Sequence, residues 1–284
     1  MADTKKSIAI LGAAGMLGTD LANELTAQGI APAGFDLPGF DITDPDQVAN
    51  AISGCEQVIN CAAYTNVEKA ESEPELAYKI NADAVGQLGN IAHRQGVKVL
   101  HISTDFVFDG TLDRPYLETD DTNALSVYGK SKLEGEKLLL AANPDSCIIR
   151  IQWTYGNNGN NFVKKLLSLA AQGKPLRVVD DQVGSPTATK QVSVIISKLI
   201  NNMPAGFFHL AAAGFVSRFD MAKFIFDKLA IKVDLTSCRT SDFPSAAKRP
   251  LNSRFDCNKI SSLLDGPIDP WQNSLEKYLK QFRE

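Results

Sequence analysis

The chain has 284 residues, 44% hydrophobic and 22% charged, with a net charge of −4. That mildly acidic balance gives no electrostatic basis for nucleic acid or an anionic membrane as main partner. Five widely spaced cysteines without a C-x-x-C pair, and three scattered histidines (His93, His101, His209), offer no metal motif.

The thiols read as reduced, which places the protein in a cytoplasm. Residues 1–6 carry two lysines but no long apolar run, and no 18-residue apolar span follows anywhere. No signal peptide and no membrane helix is expected.

Residues 7–11 read as a strand apolar on both faces, as a central parallel strand is. Gly12, Gly15 and Gly18 follow in a G-x-x-G-x-x-G turn that also contains Met16 and Leu17, and residues 19–28 continue as a helix stopped by Gly29. Strand, glycine turn and helix together make a phosphate cradle. Gly12 permits the turn, Gly15 a close approach of pyrophosphate, and Gly18 tight helix packing. The helix N-terminus adds free N–H groups and partial positive charge.

Asp36 ends the next apolar stretch, about twenty residues on, where an acid holds the adenosine ribose. A cap or turn role is its other reading. A carboxylate there repels a 2′-phosphate and favours NADH. Asp41 and Ile42 are placed to clasp the adenine edge, and Asp44-Pro45 reads as a helix cap with Pro at N1.

Residues 57–63 form another buried strand, ending in small residues that leave room for a flat cofactor. A loop with Tyr64 and Thr65 follows, then a helix over 68–95 broken near Pro74. Asn81 lies within that helix, either solvated or anchoring backbone near the site.

Residues 99–105 are a fourth strand, ending in Thr104 and Asp105. The repeat of strand and helix, roughly thirty residues per unit, predicts an α/β fold with a doubly wound parallel sheet. Ligands then bind at the carboxyl ends of its strands. The long polar loop between Phe106 and Val127 is expected to be functional. Tyr128 and Lys132 follow at i,i+4 on one helix face. A nearby ammonium favours phenolate, so Lys132 is expected to lower the Tyr128 pKa by roughly one to three units from about 10.

The alternation fades after a strand over 147–153. A helix over 162–171, a short strand over 176–179, a polar loop over 181–187 and a last sheet strand over 207–210 are expected, with His209 in the core. Ser217 caps a helix to Leu229 that core packing explains. The basic run 248–254 is either solvated or contacts an anionic ligand. A terminal helix spans 274–282. The reading gives a dinucleotide-binding domain over 1–155, with sheet-returning segments near 181–212. A smaller substrate-binding domain covers 156–180 and 213–284.

The glycine turn, the strand-end Thr104 and the Tyr-x-x-x-Lys quartet together resemble the extended short-chain dehydrogenase/reductase superfamily. Residues 60–75 (NCAAYTNVEKAESEPE), 103–110 (STDFVFDG), 116–120 (YLETD), 180–187 (DDQVGSPT) and 249–253 (RPLNS) resemble the dTDP-4-dehydrorhamnose reductase family. The resemblance covers nearly the whole chain. It implies NAD(P)H-dependent reduction of the 4-keto group of dTDP-6-deoxy-L-lyxo-4-hexulose to dTDP-L-rhamnose, for cell-surface polysaccharide.

By matching motif, Tyr128 would be the proton donor and Lys132 would hold the nicotinamide ribose. Thr104, with Asp105, would contact the substrate, and Trp153 would line the sugar pocket. Gly15, Met16, Leu17, Asp36, Asp41, Ile42, Ala63, Tyr64 and Thr65 match cofactor contacts. The cofactor is NADPH or NADH and the partner a dTDP-linked keto-deoxysugar, with a homodimer left open and no resident metal implied. Phe106 departs from the family, which often has Tyr there. So does Gln152, which is expected at the pocket edge. Two other readings stand: a related nucleotide-sugar epimerase or dehydratase, and a non-catalytic subunit like the regulatory subunit of methionine adenosyltransferase.

Overall fold

The computed structural model describes residues 8–243 and 245–283. Residues 1–7 fall outside, including Ser7 at the expected start of the first strand. Six strands form one sheet: β1 Ile8–Leu11, β2 Ala33–Phe35, β3 Gln57–Asn60, β4 Lys98–Thr104, β5 Cys147–Ile151 and β6 Gly206–Leu210. Their order is β6-β5-β4-β3-β1-β2, and every pairing is parallel. The chain runs outward from β1 to β2, then returns to add β3 on the other side. That reversal opens a crevice beyond the carboxyl ends of β1 and β3.

A parallel sheet needs cover on both faces. On one face lie α1 Met16–Ala27 and α5 Thr189–Leu199. Leu17, Leu21 and Leu25 of α1 meet Val192, Ile195 and Ile196 of α5 in the same apolar cluster as Ile8, Ile10 and Ile149. On the other lie α2 Pro45–Ala51, α3 Ala84–Gln95 and α4 Val127–Ala142. They supply Val48, Val85, Leu88 and Leu139 to a cluster with Ala9, Leu11, Val58 and Val99. Asp44 caps α2 as its sequence implies, accepting from Asp46 N and Gln47 N, with Pro45 at the first position.

A third cluster stands apart from the sheet. It joins Tyr155, Val163, Leu166, Leu176, Met221, Ile225, Trp271 and Leu275. Its helices include α6 Arg218–Leu229 and α7 Trp271–Leu279. Ser217 caps α6, its hydroxyl accepting from Asp220 N at 2.9 Å. His209 is fully buried on β6, stacked on Phe255 and 3.0 Å from the Tyr116 carbonyl.

Two local departures matter for the site. The helix expected over 68–95 is three pieces, Val67–Ala70, Pro74–Tyr78 and α3, with one widened turn at Lys79–Asp83. That turn contains Asn81. Its amide accepts from Tyr64 N at 2.8 Å and donates to Tyr64 O at 3.1 Å and Ser131 Oγ at 3.0 Å. A widened turn is common where a side chain has work to do, and here Asn81 ties the β3 loop to α4. The second departure is β5, which ends at Ile151. Trp153 then takes φ +47°, a left-handed conformation uncommon outside glycine.

Candidate active site

The cavity beyond β1, β3, β4 and β5 has a volume of about 630 Å³. The glycine turn, Asp36, Asp41, Ile42, Ala63, Thr65, Thr104, Asp105, Tyr128, Lys132 and Trp153 all line it. Residues scattered from Gly12 to Trp153 meet there because the parallel topology brings every strand's carboxyl end to one edge. Tyr64 is the exception among the expected contacts. It is absent from the wall, and its hydroxyl donates to Glu73 at 2.6 Å.

The glycine turn has the form a phosphate cradle needs. Gly12 has φ +78°, and a Cβ on it would lie 2.6 Å from Ala62 N. A Cβ on Gly18 would lie 2.1 Å from the Gly12 carbonyl. No side chain caps α1, so its N-terminal N–H groups face the cavity without a side-chain acceptor. Gly18→Ala is therefore expected to push α1 off the turn. The cost is about 1–3 kcal/mol from overpacking, and thermal unfolding checks this.

Asp36 is fixed at the rim of that cradle. Its carboxylate accepts from Ala14 N at 2.7 Å and Leu37 N at 2.8 Å. One negative group thus stands beside the turn, oriented by backbone.

At the other end of the cavity, Thr104 closes β4. Its hydroxyl donates to Asp105 Oδ1 at 3.1 Å, and Asp105 Oδ2 accepts from Ser253 Oγ at 2.5 Å. Burial raises the Asp105 carboxyl, and the two hydroxyls oppose this. Tyr128 opens α4 one residue after its start. The Phe106 ring meets it edge-on, with centroids 5.4 Å apart and planes at 79°. The hydroxyl missing at Phe106 is thereby replaced by an aromatic contact that orients the phenol's ring.

The expected effect of Lys132 on Tyr128 is not found. Burial pushes the Tyr128 phenol up to about 12, helped by the Asp105 carboxylate and opposed by the Thr104 hydroxyl. Lys132 is 2% exposed and its ammonium is engaged elsewhere. It donates to Ile102 O at 2.7 Å and lies 3.1 Å from His101 Nε2. Burial pushes Lys132 itself down to about 8, and the Glu136 and Cys61 charges oppose the fall. Desolvation is the largest cause of both shifts. Tyr128 accordingly keeps its proton across the neutral range.

Gln152 is 1% exposed and accepts from Ser185 N at 2.9 Å. It braces the β5 end while still bordering the cavity. Arg249 of the basic run donates to Glu68 and to Ser245 Oγ at 2.5 Å. Glu68 also accepts from Ser245, Ala246 and Ala247. The run is therefore ion-paired at Arg249, which stays partly exposed.

One wall residue escapes a sequence reading. Arg218 begins α6, borders the cavity, and lays its guanidinium 3.5 Å from the Trp153 ring centroid. In sequence it is one charge at the head of a helix whose apolar spacing already accounts for it.

A parallel sheet with a glycine cradle at its switch point and a Tyr-Lys pair over the same cavity defines the extended short-chain dehydrogenase type. The family described as RmlD substrate binding domain matches residues 6–284. The dTDP-4-dehydrorhamnose reductase of Aggregatibacter actinomycetemcomitans is 39% identical over 282 residues, covering 94% of this chain and 96% of the relative. A crystal structure of a dTDP-4-dehydrorhamnose reductase from Clostridium acetobutylicum superposes with a TM-score of 0.93 at 39% identity, covering 98% of this chain and 100% of that one. That from Bacillus anthracis, in complex with NADP, gives 0.93 at 35% identity, covering 98% and 100%. The chain belongs to this family, that of the dTDP-4-dehydrorhamnose reductases.

Proposed function

We propose that the chain is an NAD(P)H-dependent reductase of the 4-keto group of a dTDP-linked 6-deoxy-hexulose, yielding dTDP-L-rhamnose. The observation that carries the reading is the meeting of Thr104, Asp105 and Tyr128 with the glycine cradle in one cavity. Family membership supplies the substrate class.

The cradle residues fit a dinucleotide. The bare backbone at Gly12 and Gly18 and the uncapped α1 N-terminus would hold its diphosphate. Asp36 would take the adenosine ribose, with Asp41 and Ile42 beside the adenine and Ala63 and Thr65 along the strand end. Lys132 would hold the nicotinamide ribose. The bound nicotinamide supplies the hydride.

The remaining chemistry belongs to the side chains. Tyr128, protonated at neutral pH, gives its proton to the ketone oxygen as negative charge develops there. The Thr104 hydroxyl, whose proton goes to Asp105, sets its oxygen beside the phenol and helps to orient it. An absorbance assay with dTDP-6-deoxy-L-lyxo-4-hexulose and each nicotinamide cofactor tests the reading. Turnover-linked oxidation is expected; none with either cofactor refutes it.

Asp36 favours NADH by repelling a 2′-phosphate. Asp36→Ala is expected to raise the NADPH:NADH ratio of kcat/KM by about 10-fold, the size of one like-charge contact near a surface. An unchanged ratio would remove Asp36 from cofactor choice. The reading also divides the chain into a dinucleotide-binding part, 1–155 with 181–212, and a substrate-binding part built on the third apolar cluster. Five free cysteines support a reducing, cytoplasmic setting.

A further inference from the structure

Among the described residues, Arg218 is a cation without an acceptor. Its guanidinium stacks over Trp153 at 3.5 Å and lies 4.9 Å from the Phe162 ring centroid. Among the described residues no carboxylate closes an ion pair with it, and no oxygen accepts a hydrogen bond from it. The nearby Asp105 carboxylate is committed to Thr104 and Ser253. Five N–H donors in a rigid fork therefore border the cavity with their hydrogen bonds unmade.

The stack holds that fork in place. Gly184 packs its bare Cα against the indole: a Cβ there would lie 2.7 Å from Trp153 Cε2 and 3.0 Å from Cδ2. Trp153 is thus covered by Gly184 as well as by Arg218, and its left-handed backbone sets it there. A guanidinium on an aromatic face keeps its edge free for in-plane acceptors. Burial lowers the Arg218 pKa, the Asp105 charge opposes this, and Arg249 adds repulsion.

We propose that Arg218 binds the diphosphate of the nucleotide-sugar substrate, through paired N–H···O bonds to phosphate oxygens. This rests on the reductase reading for the identity of the substrate, but not for the anion site. Arg218 comes from α6, a different element from the α1 that carries the cofactor's own phosphate cradle. Phosphate oxygens supply the in-plane pair of acceptors that a guanidinium fork matches. A neutral sugar hydroxyl would leave most of the charge uncompensated.

The test is a binding titration of the full-length chain with dTDP and with thymidine, at fixed salt. The wild type is expected to prefer dTDP. Arg218→Met is expected to weaken dTDP binding about 10- to 100-fold, leaving thymidine and NADH affinities unchanged. Arg218→Lys, which keeps charge but loses the fork, is expected to fall between. Wild-type dTDP affinity in R218M overturns the proposal, as does a wild type without preference for dTDP. A parallel loss of NADH and dTDP binding also overturns it, because it would mark a structural role. If R218M does not fold, R218K decides, and undiminished dTDP affinity there is the overturning result. The reductase assay run alongside separates the two claims. Arg218-dependent dTDP binding without turnover would sink the reductase reading alone, and turnover with Arg218-independent binding would sink this one alone.

Discussion

Tyr128→Phe lowers kcat by about a hundred- to ten-thousand-fold, the range lost with a positioned general acid. The variant keeps its fold and its NADH affinity, because the hydroxyl is removed while the ring contact with Phe106 remains. Steady-state kinetics and circular dichroism check this. Wild-type kcat in a folded Y128F protein would move the proton donor elsewhere. The pH profile sharpens the expectation. A phenol pushed up to about 12 stays protonated through neutrality, so loss of this acid limits the reduction only in strongly alkaline solution.

Glu136→Gln costs about 3–5 kcal/mol of unfolding free energy, the usual consequence of leaving one buried charge unpaired. Arg150 on β5 donates to both Glu136 oxygens, at 2.9 and 2.7 Å, and the two side chains are 3% and 0% exposed. The guanidinium also lies over Phe108 and Phe207, at 5.0 and 4.5 Å. It therefore has no route to water when its partner is neutralised. Urea denaturation measures the loss, and the double change R150M/E136L is expected to recover much of it. A loss under 1 kcal/mol in E136Q would contradict the pairing. The same variant reaches the active site, since the Glu136 charge supports the Lys132 cation one helical turn away. Without it Lys132 falls further below its ordinary value.

The parts of the molecule written in local pattern are readable from the sequence. Residues 8–11 are apolar on both faces because both faces are covered, and the glycines that follow read as a phosphate cradle, against a merely structural tight turn, once a strand precedes them. Tyr128 and Lys132 share a helix face by spacing alone. What could not be read locally depends on partners distant in sequence. The Tyr128 pKa depends on how deeply β4 and α4 bury it, and burial is not a property of four residues. Arg218 looks like a surface charge until Trp153 lies beneath it, 65 positions earlier. Tyr64 sits within a matching motif, yet its phenol is claimed by Glu73. Arg249 looked solvated or ligand-bound, but Glu68 holds it. The end of β5 was misplaced by two residues, because the left-handed turn at Trp153 has no glycine to announce it.

The cover over α1 has a consequence for how the chain is made. Leu17, Leu21 and Leu25 are sealed by Val192, Ile195 and Ile196, and β5 gains its outer neighbour only at Gly206–Leu210. A nascent chain emerging from the ribosome can assemble β1 to β5, but it leaves that helix face wet until residue 210 or so has cleared the exit. Such a half-built sheet exposes an apolar surface and an unpaired edge for the several seconds that synthesis takes at about 5–20 residues per second. A fragment ending near residue 155 is therefore expected to be a chaperone client or an aggregate, and not a miniature cofactor-binding protein.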